Sequence, residues 1–174
     1  MKLLVWGLAA LIGVVLCIGI VIVLAGKRAG QIRAEKLRWG FVNSSGELVI
    51  SAIFDEVRGF SEGLAAVRVG DSWGYIDKTG EMIISASFGE ARDFASNGLA
   101  AARPIDSDLF GYINRNGEWV IQPAWERASR FSAGVAQVGS VSDIATSRIT
   151  SAQPVYHYGL VDEQGEMIHD LAGS

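Results

Sequence analysis

The chain has 174 residues and a single cysteine, Cys17, so a disulfide bond within the chain is excluded. Its charge is unevenly distributed: residues 1–38 carry six basic residues against one acidic residue, whereas residues 39–174 carry nine against 18, a net charge of −9. Because nucleic-acid binding relies on basic side chains that neutralise phosphates, the acidic part disfavours a nucleic-acid partner.

Residues 3–25 contain no charged side chain and consist mainly of Leu, Val, Ile, Ala and Gly. A helix rises about 1.5 Å per residue, so this stretch can cross a hydrocarbon core of roughly 30 Å. We therefore predict one transmembrane α-helix within residues 1–25. A cleaved signal peptide ending at residues 23–25 is the alternative, although its apolar region would exceed the usual length of about 7–15 residues.

Small residues recur every four positions within this predicted helix, at Ala9, Gly13 and Cys17. Such a stripe lets two membrane helices approach closely, which predicts a homodimer through the helix. The alternative is that these residues have no such role, because small residues are common in membrane helices.

Residues 26–38 form a predicted basic juxtamembrane linker. Its basic residues are Lys27, Arg28, Arg33, Lys36 and Arg38. Cytoplasmic flanks of membrane helices carry an excess of Lys and Arg, so we predict a single-pass protein of the plasma (inner) membrane whose remaining domain faces the cytoplasm. The extracytoplasmic side is the alternative. The linker either contacts anionic lipid headgroups or serves as a solvated spacer.

Residues 39–174 form a predicted all-β repeat domain, because one hairpin pattern occurs four times, at residues 39–50, 73–84, 110–121 and 158–169. Each copy has two strand-like stretches joined by Asn or Asp, two variable residues and Gly. This pattern is typical of a type I turn with a glycine bulge. A further glycine follows the first aromatic residue of every copy, which predicts close packing over it, with a neighbouring aromatic ring as one candidate.

The repetition extends beyond the hairpins. Aligned columns contain Phe54, Phe88 and Trp125, then Phe60, Phe94 and Phe131, then Gly63, Gly98 and Gly134. A strand follows the last column, so we predict three-stranded antiparallel meanders preceded by a starting hairpin that lacks its first strand. Apolar residues on both strand faces favour a solenoid-like stack in which each unit buries its neighbour. A propeller is disfavoured by the small number of units, and a closed ring is the remaining alternative.

These motifs resemble the bacterial WG β-repeat proteins, which are named for a Trp-Gly pair. The resemblance covers residues 39–168 and rests on that pair, the glycine turn, the aliphatic pair, the spaced Phe residues and the Gly-Leu-Ala strand. Phe110 and Tyr158 replace Trp in two copies, and a proline after the aliphatic pair occurs only as Pro123. The resemblance implies an interaction or structural module and supplies no catalytic residues.

No recognisable catalytic or metal-binding pattern occurs in the sequence. Trp119 and Trp125 occupy columns of ordinary core residues, which predicts packing rather than a sugar-binding platform. The turn acids lack the ligand density of a calcium loop. His169 replaces the aliphatic residue of the other copies, which fits a polar face where stacking stops. We therefore predict no enzyme activity, cofactor or metal site.

An insertion at residues 139–156 interrupts the last repeat. Loops carry function more readily than scaffold, so its polar residues and their neighbour are candidate binding residues. They are Asp143, Arg148, Tyr156 and His157. The alternative is a tolerated surface excursion, because lengthening a loop costs little.

Taken with the resemblance, the sequence favours a membrane-anchored binding or scaffolding module for a protein partner. The alternative is a receptor for cell-wall glycan or a small ligand, which requires the domain to lie on the outer face. An enzyme is the third class and has the least support, since no nucleophile, base or metal cluster is recognisable.

Overall fold

The computed structural model describes residues 36–141 and 156–170. All regular structure in these two ranges is β-strand, and they contain no helix long and apolar enough to cross a membrane. The predicted membrane helix and residues 26–35 of the predicted linker lie outside the described ranges. So do residues 142–155, most of the predicted insertion.

The strands are short and follow one another closely. They are β1 Trp39–Val42, β2 Leu48–Phe54, β3 Glu56–Val57, β4 Ala65–Val69, β5 Ser72–Ile76, β6 Met82–Ala91, β7 Ala100–Pro104, β8 Phe110–Ile113, β9 Trp119–Trp125, β10 Arg127–Ala128, β11 Ala136–Val141, β12 Tyr156–Val161 and β13 Met167–Asp170. Every pairing is antiparallel. The predicted all-β repeat domain is therefore confirmed.

Strands that are consecutive in the chain are neighbours in three sheets, β1-β2, β3 to β9, and β10 to β13. The long strand β6 pairs with β5 through its first part and with β7 through its last residues. The seven-stranded sheet thus consists of two four-stranded units that share β6, and β10 to β13 form the third unit. Within the described residues β1 pairs with β2 alone, as predicted for a starting hairpin.

The prediction of three-stranded meanders is wrong by one strand per unit. The additional strand is β3 in the first unit, the end of β6 in the second and β10 in the third, and it pairs with β4, β7 or β11. Its two or three paired residues are too few to show an alternating pattern in the sequence.

The predicted turn geometry is confirmed in all four hairpins. In the second, the carboxylate of Asp77 accepts hydrogen bonds from the backbone N–H groups of Thr79 and Glu81 at 2.8 and 3.0 Å, and Gly80 has φ +89°. The hydrogen bond from the Thr79 hydroxyl and the backbone N–H bonds lower the pKa of Asp77. Asn43, Asn114 and Asp162 accept equivalent bonds.

Close packing over the glycine after the aromatic residue is confirmed, but in the first three copies the neighbour is backbone rather than a ring. A Cβ atom added at Gly74 would lie 2.5 Å from the carbonyl oxygen of Ile84 and 2.7 Å from the nitrogen of Ala86. The cause is a bulge: Trp73 pairs with Phe88 and Tyr75 with Ile84, so β6 has extra residues that cross over Gly74. Gly40 and Gly111 have the same surroundings.

Three clusters of buried side chains form the core, and each joins two consecutive units. Within β4, Ala65 and Val67 belong to the cluster shared with the starting hairpin, whereas Ala66 belongs to the cluster shared with the second unit. Each unit therefore buries its neighbour, because its strands carry apolar residues on both faces.

An aromatic pair recurs in each cluster. The pairs are Phe41 with Phe60, Tyr75 with Phe94 and Tyr112 with Phe131, at centroid distances of 4.8, 4.8 and 4.7 Å. The hydroxyl groups of the two tyrosines donate to the carbonyl oxygens of Arg92 and Ser129. Burial raises the pKa of both hydroxyl groups. The repeated columns of the sequence thus occupy equivalent environments.

Candidate functional site

The structure does not bring the four predicted binding residues into one described site. Asp143 and Arg148 lie outside the described residues. Tyr156 begins β12, where its backbone pairs with Val141, and its side chain also lies outside the description. His157 is exposed and pairs with Ser140 in the sheet. A binding role for these four residues stays a prediction.

His157 borders a small cleft at the last unit, with a volume of about 120 Å³. Trp125, Tyr158 and Met167 contribute to its lining. Trp125 also packs against the core cluster shared by the second and third units, as predicted. It therefore contributes both to the core and to the cleft. The cleft combines apolar rings with the polar side chains of His157 and Asp170.

The last unit presents a polar outer face. Ile50, Ile84 and Ile121 are 6, 5 and 6% exposed, whereas His169 in the same column is exposed. Gln137 is likewise exposed in the column of the buried Ala66 and Ala101. Polar substitutions at both columns are the arrangement expected where stacking stops.

Trp73 is buried, and its ring is covered by an arginine. The Arg58 guanidinium lies 5.2 Å from the Trp73 ring centroid, and Arg92 lies 4.5 Å from that of Phe110, the equivalent residue in the next copy. Arg92 also donates to the carbonyl oxygen of Ala128 in the third unit. Arg92 thus links the second and third units. Both rings are only 5% exposed, which leaves little of either for a sugar to stack on.

An exposed aliphatic side chain recurs at one position of every hairpin, in the second strand. These residues are Val49, Ile83, Val120 and Ile168, with exposed fractions of 54, 46, 47 and 55%. We call this set the outer row. Leu48, Met82 and Met167 lie beside it and are 48, 38 and 53% exposed.

The outer row could have been inferred from the sequence. Successive side chains of a strand point to opposite faces, so two adjacent aliphatic residues cannot both enter one core. Since Ile84 is buried, Ile83 must point away from that core. Scattered exposed aliphatic residues are ordinary on a protein surface, but repetition at one column of four units is a feature that a partner can recognise.

A buried carboxylate fixes the point where the chain enters the domain. The side chain of Asp55 is 1% exposed and lies 2.5 Å from the Lys36 ammonium and 3.1 Å from the Arg38 guanidinium. Its other contact is a hydrogen bond of 2.7 Å from the backbone N–H of Gly70. The Lys36 hydrogen bond, followed by that from Gly70, holds the pKa of Asp55 below its usual value. Two basic residues of the predicted linker are thus engaged by the domain itself.

We expect Asp55→Asn to reduce stability at pH 7 and to weaken its acid dependence. Because the folded-state pKa is lower than the unfolded value of about 3.9, ionised Asp55 stabilises the fold above that pH, and this contribution is lost as pH falls through the folded value. Urea denaturation of the full chain at pH 7, 5 and 3 measures the effect. Glu62→Gln, at an exposed residue, is the control. Equal acid dependence of Asp55→Asn and the unsubstituted chain would contradict this role.

Among the described residues, no group of three or more His, Cys, Asp or Glu side chains is arranged to hold a metal ion. The described residues form three surface features that a partner could contact: the outer row, the cleft beside His157, and a groove along the starting hairpin.

Antiparallel β-units that stack through equivalent columns define a β-repeat protein. A comparison with protein families matches residues 39–72, 73–103 and 110–139 to the WG containing repeat. The chain belongs to the WG-repeat family. Neither the curated proteins nor the solved structures provide a significant match.

Proposed function

We propose that this chain is a membrane-anchored, non-catalytic scaffold whose WG repeats bind a protein partner through the outer row. The observation that carries the proposal is the recurrence of an aliphatic residue, about half exposed, at one column of all four hairpins. Exposed apolar side chains grouped on one surface mark interaction sites, and the members of the outer row stand at equivalent positions of consecutive units. Repetition allows a partner to engage several units at once, so weak contacts add up.

The proposed arrangement of the units is a solenoid-like stack. The turn glycine of one unit rests on an isoleucine of the preceding unit: Gly80 on Ile50, Gly117 on Ile84 and Gly165 on Ile121. The loops before β4 and β11 also meet, because Arg130 donates to the Ser61 hydroxyl at 3.0 Å. Contact between the first and third units indicates a tightly wound stack.

Membrane attachment and a cytoplasmic orientation are the second part of the proposal. Their support is the uncharged run at residues 3–25 and the basic residues that follow it. Reporter fusions to the C-terminus, one active only inside the cell and one only outside, test the orientation. Activity of the outside reporter alone would overturn it.

A glycan receptor is the second candidate, and the cleft beside His157 is the observation that favours it. Trp125 and Tyr158 provide aromatic surface there, with Asp170 and His157 as polar neighbours. Retention of the full chain on polysaccharide, lost in His157→Ala and unaffected by changes in the outer row, would select this function.

We expect the double substitution Ile83→Asp and Val120→Asp to reduce capture of a protein partner by about tenfold or more, since loss of a central apolar contact commonly costs about 2 kcal/mol of binding free energy. Both side chains are exposed, so the fold should remain stable. The measurement is crosslinking in cells followed by recovery of the full chain and quantification of the captured partner.

Ser85→Asp is the matched control for charge, because Ser85 is an exposed residue of the same strand as Ile83. It should leave capture unchanged. Undiminished capture by the double variant, with an unchanged urea midpoint, would exclude the outer row as the binding surface.

A further inference from the structure

The starting hairpin leaves one strand edge unpaired within the described residues. In the later units the strand equivalent to β1 has a neighbour on both sides: β5 lies between β4 and β6, β8 between β7 and β9, and β12 between β11 and β13. Among residues 36–141 and 156–170, β1 pairs only with β2. An unpaired edge presents backbone N–H and C=O groups that can accept another strand.

An apolar groove of about 310 Å³ is lined by both strands of this hairpin, with Val49 among its lining residues. Phe41, Val42, Ile50 and Phe60 contribute its apolar lining, and Lys78 contributes to its border. A cavity of about 150 Å³ is enough to bind benzene. The groove can therefore hold a branched aliphatic side chain with space to spare.

The inner units show what fills the equivalent position. Leu64 belongs to the cluster that contains the Tyr75–Phe94 pair, and Leu99 to the cluster that contains the next such pair. The cluster around Phe41 and Phe60 has no leucine among its described members. In the inner units such a leucine directly precedes β4 or β7. The groove thus lies where the equivalent leucine of the starting hairpin would pack.

A second contact in the inner units explains the position of Lys78. Arg115, its equivalent in the next turn, donates to the carbonyl oxygen of Glu62, two residues before Leu64. In the following turn Glu163 accepts a hydrogen bond of 3.1 Å from the side chain of Asn97, two residues before Leu99. The turn residue therefore contacts the residue two positions before the buried leucine. No hydrogen bond or ion pair engages Lys78 within the described part of the chain.

We propose that this groove is a second protein-binding site, which shares only Val49 with the outer row and accepts an extended segment of a partner by strand addition to β1. The segment carries a leucine-sized residue that fills the groove, with small residues after it, and the backbone carbonyl two positions before it accepts a hydrogen bond from Lys78, as that of Glu62 does from Arg115. Backbone bonds to β1 and the bond from Lys78 supply affinity, and the aliphatic pocket supplies specificity. The sequence of residues 61–67, Ser-Glu-Gly-Leu-Ala-Ala-Val, has this chemistry.

The test uses the full chain and a fluorescent synthetic peptide with the sequence of residues 61–69. We expect saturable binding by fluorescence anisotropy, weakened about 10- to 100-fold when the peptide carries Leu64→Asp. Lys78→Met in the protein removes the donor to the peptide carbonyl and should weaken binding about two- to fivefold, whereas Glu62→Gln in the peptide should leave binding unchanged. Ser44→Trp, at a residue that lines the groove, should block binding, whereas Asn116→Trp in a distant turn should not.

Three results would overturn the proposal. The first is equal binding of the peptide with Leu64→Asp. The second is absence of binding both to the chain and to a variant in which Gly-Ser replaces residues 26–35. The third is binding to that variant alone, which would assign the groove to the chain's own linker. Because the Ile83→Asp and Val120→Asp double variant should keep its peptide affinity, failure of this site and failure of the outer row are distinguishable.

Discussion

Gly74→Ala should destabilise the domain by more than about 4 kcal/mol, a large fraction of the 5–15 kcal/mol typical of a folded domain. The added Cβ would lie 2.5 Å from the carbonyl oxygen of Ile84 and within 2.9 Å of two backbone atoms of Ala86. Since these are backbone atoms, no side-chain rotation relieves the overlap, and β5 and β6 must separate. Their pairing lies within the first unit, beside the centre of the seven-stranded sheet.

Gly59→Ala is the matched control, because a Cβ at Gly59 would have no neighbour within 4 Å and its φ is not positive. It should change the unfolding free energy by no more than about 0.5 kcal/mol. Urea denaturation of the purified full chain, followed by tryptophan fluorescence, measures both variants. Similar midpoints for the two variants would show that the glycine after the aromatic residue is replaceable.

The hairpins could be predicted from the sequence because their signals are local. Asp77 and Gly80 specify a turn through their own hydrogen bonding and φ, whatever surrounds them. The aligned column that contains Phe60 and Phe94 could be predicted for a different reason. Stacked units repeat the same environment, so the same residue type recurs at the same position.

The remaining features depend on contacts that no local pattern records. The additional strand of each unit is only two or three residues, and Glu56 pairs with Arg68 only because the chain reverses at Phe60 to Gly63. The groove at Phe41 is visible only once the inner units show which leucine fills its equivalents. For the candidate binding residues, the sequence indicated His157, whereas the outer row is identified only once Ile84 is known to be buried, since Ile83 must then point to the opposite face.

Gly117→Ala should cost more stability than the same substitution at Gly46, although both residues are turn glycines with φ values of +82° and +84°. An alanine in this left-handed region costs about 1–2 kcal/mol at either position. At Gly117 the Cβ would also lie 2.7 Å from the Cγ2 of Ile84 in the preceding unit, whereas at Gly46 it would have no neighbour within 4 Å. Overpacking a buried β-branched side chain adds about 1–3 kcal/mol.

The difference between the two variants therefore measures the contact between consecutive units. The stability cost of Gly165→Ala, whose Cβ would lie 2.9 Å from Ile121, should be close to that of Gly117→Ala. The cost of Gly80→Ala, whose Cβ would lie 3.1 Å from Ile50, should fall between those of Gly117→Ala and Gly46→Ala. In a chain that also carries Ile84→Ala, the methyl group that causes the overlap is absent, so Gly117→Ala should cost no more than Gly46→Ala. Urea midpoints of this double-mutant cycle supply the measurement. If the extra cost persisted with Ile84→Ala, it would arise within the turn itself. The contact between the turn glycine and the isoleucine of the preceding unit would then be wrong.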